Sequence, residues 1–571
     1  MAFKQLVSAI GLSVGLGVMA LPSQAQFEST GLGEIDSWGI GGLSQADGAL
    51  PVTLWQNSSA ETLEPLFARI NPRGLTPTTR DLLTRILLSP SRAPTGEKAD
   101  RLMQQRMRLI WELGELDAYV DIARQLPEQE NVKSGTHAQI ETQFLKGNFA
   151  SACSQARSVA ETSAFMFQAR ATCFALENNF DSTDLAMELG QEFEASDPWL
   201  IRAFSAMRTM PENPEERDED ELPAANFSTG ITTALSLEAG FPVELDEISG
   251  TNPGIARQVA LRDGVPRDVR IAMARLAAFA GLMTAEELRN AYRLDPEPLP
   301  EPEAEPDEPS EVVEEVDEPP ELTLRDPVDP LDEALQTAFH PDATPEEIVR
   351  AARRALILVQ SDPSRFSITA GVLTPVITRF RDPEAIGDNS EFFAIAAFAA
   401  GEVSLANRIQ TMSLREGGPE ENPYFQAWLD GLKVVTGADR SPASSRTVSD
   451  RLAEHTPSGG RSKALQMMLT FMTFDLPISP GAHEFAAGPS GDLISTGTSV
   501  SGKDMFLIES GMASSSYGEA FLRIIRVVGQ RPDTVQALDM AALISLLQDA
   551  GYDAEARTLA LEALAFQKPV N

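Results

Sequence analysis

Histidine and cysteine are scarce in this chain, with 4 His and 2 Cys among 571 residues. Two cysteines cannot build a Cys₄ zinc site or a disulfide-dense scaffold. His137, His340, His455 and His483 stand at no metal-ligand spacing such as H-E-x-x-H, and they read as surface or capping residues. Positive charge is also in short supply: 46 Lys and Arg face 84 acids, for a formal net charge of −38. That balance argues against nucleic acid as a partner, because such binding rests on neutralising phosphates with Lys and Arg. It argues equally against electrostatic attachment to a membrane surface. After the first 25 positions no stretch approaches the 18 apolar residues of a membrane span. The longest candidate, Phe392 to Ala400, is followed by Glu402 and fits a buried helix. The G-x-S-x-G pattern and the D-x-[DN]-x-[DN]-G calcium loop are both missing. No cofactor and no metal is implied.

What is present begins at the N-terminus. Lys4 supplies a positive start, Leu6 to Leu21 is an uncharged and mostly apolar run, and Pro22 ends it. Ser23-Gln24-Ala25 then places small residues at −3 and −1 of a cleavage site. Residues 1–25 therefore read as a signal peptide cut between Ala25 and Gln26. The mature chain is expected in the periplasm or secreted, with no membrane span after cleavage.

An oxidising compartment changes the reading of the two cysteines. Cys153 and Cys173 lie in helical patterns, Asn148 to Val159 and Ala164 to Leu176, and each is ten residues from Ser163 in the break between them. Equal distances from a turn bring two helical positions to the same height, at about 1.5 Å rise per residue. A structural disulfide stapling two helices is the expectation, with two buried thiols as the alternative. No C-x-x-C occurs that would mark a redox pair.

One segment stands apart in composition. Asp295 to Pro330 holds fifteen acids, ten prolines and a single basic residue, Arg325. Proline removes backbone donors, like charges repel, and almost nothing apolar is available to bury. This reads as a disordered acidic linker. It divides the mature chain into a flexible Gly-rich N-terminal segment (26–57), an N-terminal helical-repeat domain (58–294) and a C-terminal helical domain (331–571). As a tether it would let the two domains engage separated partners.

Both halves carry helical periodicity with short breaks. Ser58 with Glu61 suggests a capping box ahead of Leu63, Leu66 and Phe67, and Thr76-Pro77 opens the next helix. A long helix is expected from about Lys98 to Leu113. Strand-like alternation is confined to Ser367 to Ile377 and Phe506 to Ile508. Ser479 to Ser501, rich in Gly, Ser and Thr, reads as a long loop. An acidic loop spans Glu212 to Glu221.

A recurrent spacing links several helix junctions: a Gly with an Ala five residues later. The instances are Gly147 with Ala152, Gly401 with Ala406, and Gly551 with Ala556. Looser versions are Asn178 with Thr183, Gly114 with Tyr119, and Gly281 with Glu286. Glycine accepts the left-handed cap that ends a helix, and the small residue lets the next helix approach closely. This spacing resembles the second half of a tetratricopeptide (TPR) repeat. The segment Met540 to Pro569 matches best, and Ala164 to Pro198 matches more weakly, with Phe174 and Phe180 at aromatic positions. The period is not a steady 34 residues, and the Trp, Leu-Gly and Tyr positions of the first helix are mostly absent. The resemblance implies an all-α fold of two TPR-like α-solenoid domains. The layout also resembles uncharacterised secreted helical proteins of alphaproteobacteria.

Three further patterns bear on function. Gly497 to Asp504 fits G-x-x-x-x-G-K, but Asp504 stands where a P-loop needs Ser or Thr for magnesium. Arg350, Arg353 and Arg354 after Glu346 and Glu347 read as a salt-bridged exposed helix face. Met467, Met468 and Met472 with Phe471 and Phe474 read as core. The expected function is a non-enzymatic scaffold or adaptor whose partners are proteins or peptides of the bacterial cell envelope. Two other readings stand beside it: a peptidoglycan-acting envelope enzyme, and a periplasmic ligand-binding or sensory protein.

Overall fold

Caps and breakers punctuate the sequence at short intervals, so the chain builds many short helices. The computed structural model describes residues 36–127, 133–211, 222–245, 247–294, 325–380, 386–413, 422–457, 460–488 and 497–564. The signal peptide expected at 1–25 with its Ala25–Gln26 site, the acidic loop expected at 212–221 and residues 295–324 of the expected acidic linker lie outside these residues. The chain divides into a short unit ending at Asp36 and a large one from Ser37. The large unit is all-α, with 26 helices and no strand among the described residues.

The first helices are α1 (Ala60–Arg69), α2 (Pro77–Leu88), α3 (Ala99–Leu113) and α4 (Leu116–Ala123). The cap of α1 is Ser59, whose side chain accepts from the Thr62 amide, one residue later than expected. Thr76 caps α2 with Pro77 at its first position, as its sequence directs. Residues 37–57, expected to be flexible, are irregular but packed. Trp38, Leu50, Leu54 and Trp55 are buried, and the Trp38 and Trp55 rings meet edge to face at 6.0 Å. The anchor is Arg106 of α3. It is fully buried and donates to the carbonyls of Leu87 (2.7 Å) and Ile40 (2.9 Å).

Next come α5 (Gly135–Leu145), α6 (Phe149–Ser158), α7 (Ala164–Leu176), α8 (Phe180–Gly190), α9 (Pro198–Thr209) and α10 (Gly230–Ala239). They are followed by α11 (Pro253–Ala260), α12 (Arg267–Phe279) and α13 (Ala285–Tyr292). Beyond the acidic segment lie α14 (Pro330–Phe339), α15 (Pro345–Val359), α16 (Pro363–Arg379), α17 (Ser390–Ala399) and α18 (Val403–Ser413). Then run α19 (Pro423–Thr436), α20 (Pro442–His455), α21 (Arg461–Thr473) and α22 (Pro480–Ala487). The last four are α23 (Gly502–Ala513), α24 (Tyr517–Val528), α25 (Ala537–Asp549) and α26 (Asp553–Leu564).

Consecutive helices pair, as in α7 with α8, α11 with α12, α14 with α15, α17 with α18 and α25 with α26. The stretches expected to alternate like strands are helical: Ser367 to Ile377 falls within α16, and Phe506 to Ile508 within α23. Their β-branched and aromatic residues pack on neighbouring helices, so tertiary burial overrides local propensity. The loop expected at 479–501 contains α22, capped by Ser479. The acidic linker ends earlier than its composition suggested, because Asp329 caps α14 and Pro330 is its first residue.

The helical stretches before and after the acidic segment share one hydrophobic core. Near that segment, Arg267 forms two 2.7 Å bonds to Asp332, which has no exposed side-chain surface. Arg275 reaches Asp329 in the same way. The helices at the start of this unit also pack against those at its end. The Ser58 hydroxyl donates to Glu519 (3.0 Å), the Thr78 amide donates to Glu562 (2.8 Å), and Arg85 pairs with Glu555. The acidic segment therefore links two stretches that already touch.

Candidate interaction surface

The junction residues share one geometry. Gly114, Gly147, Asn178, Gly281, Gly401 and Gly551 all have φ between 57° and 86°. At each, the residue's own N–H bonds the carbonyl three back and the next N–H bonds the carbonyl five back. At Gly401 these are the Phe398 (3.0 Å) and Ala397 (2.8 Å) carbonyls; Gly147 and Gly551 repeat the pattern. This double bond closes the preceding helix and aims the next one back along it. Five residues on, Ala152, Thr183, Ala406 and Ala556 are fully buried and Tyr119 nearly so, whereas Glu286 is exposed. Ser515 (φ 60°) with buried Ala520 is a further instance that a search for Gly misses.

The pair α6 and α7 carries the two cysteines. Cys153 and Cys173 are bonded, with their Cα atoms 5.6 Å apart, a separation suited to a disulfide. Ser163 caps α7 through the Met166 amide, so the turn sits where the spacing put it. α5 and α7 are the first helices of successive pairs. The surface they make is covered by α10, whose Ile231, Ala234 and Leu235 join Ile140, Phe144 and Ala169 in one apolar cluster. Glu141 of α5, almost fully buried, accepts from the Gly230 amide at the start of α10 (3.0 Å) and from Lys133 (2.6 Å). A partner cannot lie on this surface without displacing α10.

Apolar side chains are exposed elsewhere, at Phe506 and Leu538 for example, and also along α8, in the turn after it and on α9. Leu185 and Leu189 are each 55 % exposed, Phe193 39 % and Ile201 52 %. Arg208, near the end of α9, binds Asp184 and the Phe180 carbonyl at the start of α8. The two helices are thus antiparallel. Residues at one height in such a pair have numbers with a nearly constant sum, which sets Leu189 level with Ile201. Leu185 lies one turn along from Leu189. Asp181, Glu188, Glu192 and Glu194 are exposed around the row.

Features that suggested chemistry take structural roles. Gly497 to Asp504 runs into α23: Ser501 caps the helix through the Asp504 amide (3.1 Å), and Asp504 pairs with Arg526. His137 bonds Glu161 (2.6 Å) and stacks on Phe165 at 4.5 Å. Glu347 is spent on a capping box with Thr344, and Arg354 pairs with Glu333 of α14 (3.1 Å), so the expected ladder along α15 is replaced by a cap and a bridge between helices. Met467, Met468, Phe471 and Phe474 are buried, but Met472 is 49 % exposed. The buried carboxylates Glu141, Asp332 and Glu562 all accept backbone amides. No group of His, Cys, Asp and Glu among the described residues could hold a metal ion. No described helix is long and apolar enough to cross a membrane. Comparison with protein families, characterised proteins and solved structures finds no match.

Proposed function

We propose that this protein is a non-enzymatic periplasmic scaffold or adaptor that mediates protein–protein interaction in the bacterial cell envelope. The observation that carries the reading is the exposure of Leu185 and Leu189 on α8, Phe193 in the turn just after it and Ile201 on α9, fringed by acids. Contiguous exposed apolar side chains with a charged rim mark contact sites on helical proteins. Charge complementarity selects the partner: a segment with an apolar face and basic flanks, such as an amphipathic helix. The export-type N-terminus supports the compartment, and the junction geometry supports the TPR-like assignment. The cavity lined by Trp199 and Arg202 has no acid among its described lining residues, so those residues offer an envelope hydrolase no general acid or base there.

The test uses a defined probe, a synthetic Leu/Lys amphipathic helix, titrated calorimetrically into the full chain. Binding should weaken about tenfold in Leu189→Asp and also fall with added salt. Leu189 is exposed, so the variant keeps its fold. Equal binding by the variant and the parent chain would remove this surface as the contact site.

A further inference from the structure

The other face of α9 lines a cavity of about 420 Å³, within the range of small-molecule sites. Asp197 caps α9 through the Trp199 and Leu200 amides, and Trp199 and Arg202, three residues apart, then share one side of the helix. The Trp199 indole N–H is already given to the Ala224 carbonyl (2.8 Å), and its ring meets Phe241 edge to face at 5.9 Å. What Trp199 offers the cavity is therefore a fixed apolar wall.

The polar groups are of one kind. Arg202 lines the cavity and has no ion pair or hydrogen bond among the described residues. Asn226 uses its carbonyl oxygen to accept from the Ser228 amide (2.9 Å), and its NH₂ donors have no partner among the described residues. The Ser228 hydroxyl is open too, and Thr251, only 7 % exposed, lines the cavity with a hydroxyl that finds no partner among the described residues. Arg73 stands behind the wall and donates to the Gly250 carbonyl (2.8 Å). In a chain with 84 acids against 46 bases, none of the described lining residues is acidic. A cavity so enriched in donors selects for negative charge, and a guanidinium with open donors fits a carboxylate.

We propose that this cavity binds a carboxylate carried on a flat apolar body, with the carboxylate on Arg202 and Asn226 and the body against Trp199. Two sources present that chemistry: a small free aromatic acid, and the C-terminal carboxylate of a peptide ending in an aromatic residue. The site lies apart from the row of Leu185 and Leu189, so Leu189→Asp leaves it intact.

The full chain is titrated with phenylacetate and its amide, and with N-acetylglycyl-phenylalanine and its C-terminal amide. Heat and tryptophan fluorescence are the readouts, with Trp199→Phe showing which part of the fluorescence change belongs to that ring. At least one acid should bind about ten times more tightly than its amide, and Arg202→Gln should erase that preference. Arg202 is exposed, so this variant does not threaten folding. The acid that shows the preference identifies the source. Equal affinity of acid and amide, a preference that survives Arg202→Gln, or no binding of either acid at millimolar concentration would overturn the proposal.

Discussion

Glu391, in the first turn of α17, shows how burial acts on a single residue. It is half-buried, and desolvation pushes its carboxyl up to about 7, against a hydrogen bond from Asn422 that lowers it. The folded chain therefore holds this proton more tightly than the unfolded chain does, whose value is near 4.5. The sign follows: the contribution to stability is full below about 4.5 and is lost as pH rises through about 7. Glu391→Gln should flatten this loss. The thermal midpoint of the parent chain should drop more than that of the variant between about pH 5 and about pH 8. Parallel pH profiles would show that Glu391 is fully solvated. Arg106 makes a related point. Its place on the apolar stripe of α3 is visible in sequence, but its acceptors, the Ile40 and Leu87 carbonyls, come from distant segments.

At the scale of helices, the junction glycines separate backbone strain from packing. A Cβ added at Gly401 or Gly551 would meet nothing within 4 Å, yet φ there is +80° and +86°. Gly401→Ala and Gly551→Ala should each cost about 1 kcal/mol from the left-handed conformation alone. Gly401→Asn should cost less, because Asn tolerates that region. Urea unfolding measures all three, and equal loss for Ala and Asn would place the cost elsewhere. The α6–α7 staple is the second prediction at this scale. It closes a loop with a sequence separation of 20 residues, so reduction or Cys153→Ser should lower stability by about 3 kcal/mol. Unreduced mass mapping should find the Cys153 and Cys173 peptides joined.

These helix-level features were largely legible. Gly or Asn ahead of a small residue, Thr76-Pro77 and the symmetric placement of the cysteines about Ser163 each encode a local geometry within one or two turns. The misreadings share a cause. The β-branched run of α16 and the Gly-Ser stretch holding α22 have weak helical propensity of their own, and contact with neighbouring helices decides their state. The exposed row on α8 and α9 was not legible at all. Leu185, Leu189 and Ile201 have the spacing of core residues, and only the position of α10 shows that nothing in the described chain covers them.

At the scale of the whole molecule, the stretches flanking the acidic segment hold each other at two places. Arg267–Asp332 and Arg275–Asp329 tie α12 to the start of α14. Trp55, Ser58 and Thr78 meet α24 and α26. Cleavage at an engineered protease site between positions 295 and 324 should therefore leave two fragments that co-elute on size exclusion. Gly518→Val drives a side chain into Trp55 and should weaken the second contact, seen as faster hydrogen exchange in α1 and α24. Separation of the fragments after cleavage alone would mean that these contacts do not hold the halves together.

The sequence by itself determined the helical class, several helix starts and turns, the even placing of the two cysteines about one turn, and the scarcity of groups able to bind metal or nucleic acid. These depend on residues close in the chain or on simple counts. The tertiary structure alone decided that α10 covers α5 and α7, that apolar side chains on and beside α8 and α9 are exposed, and that Arg202 faces a cavity with no acid among its described lining residues. It also decided that the first helices pack on the last. Each of these joins residues far apart in sequence, and no local periodicity specifies which buried surface meets which.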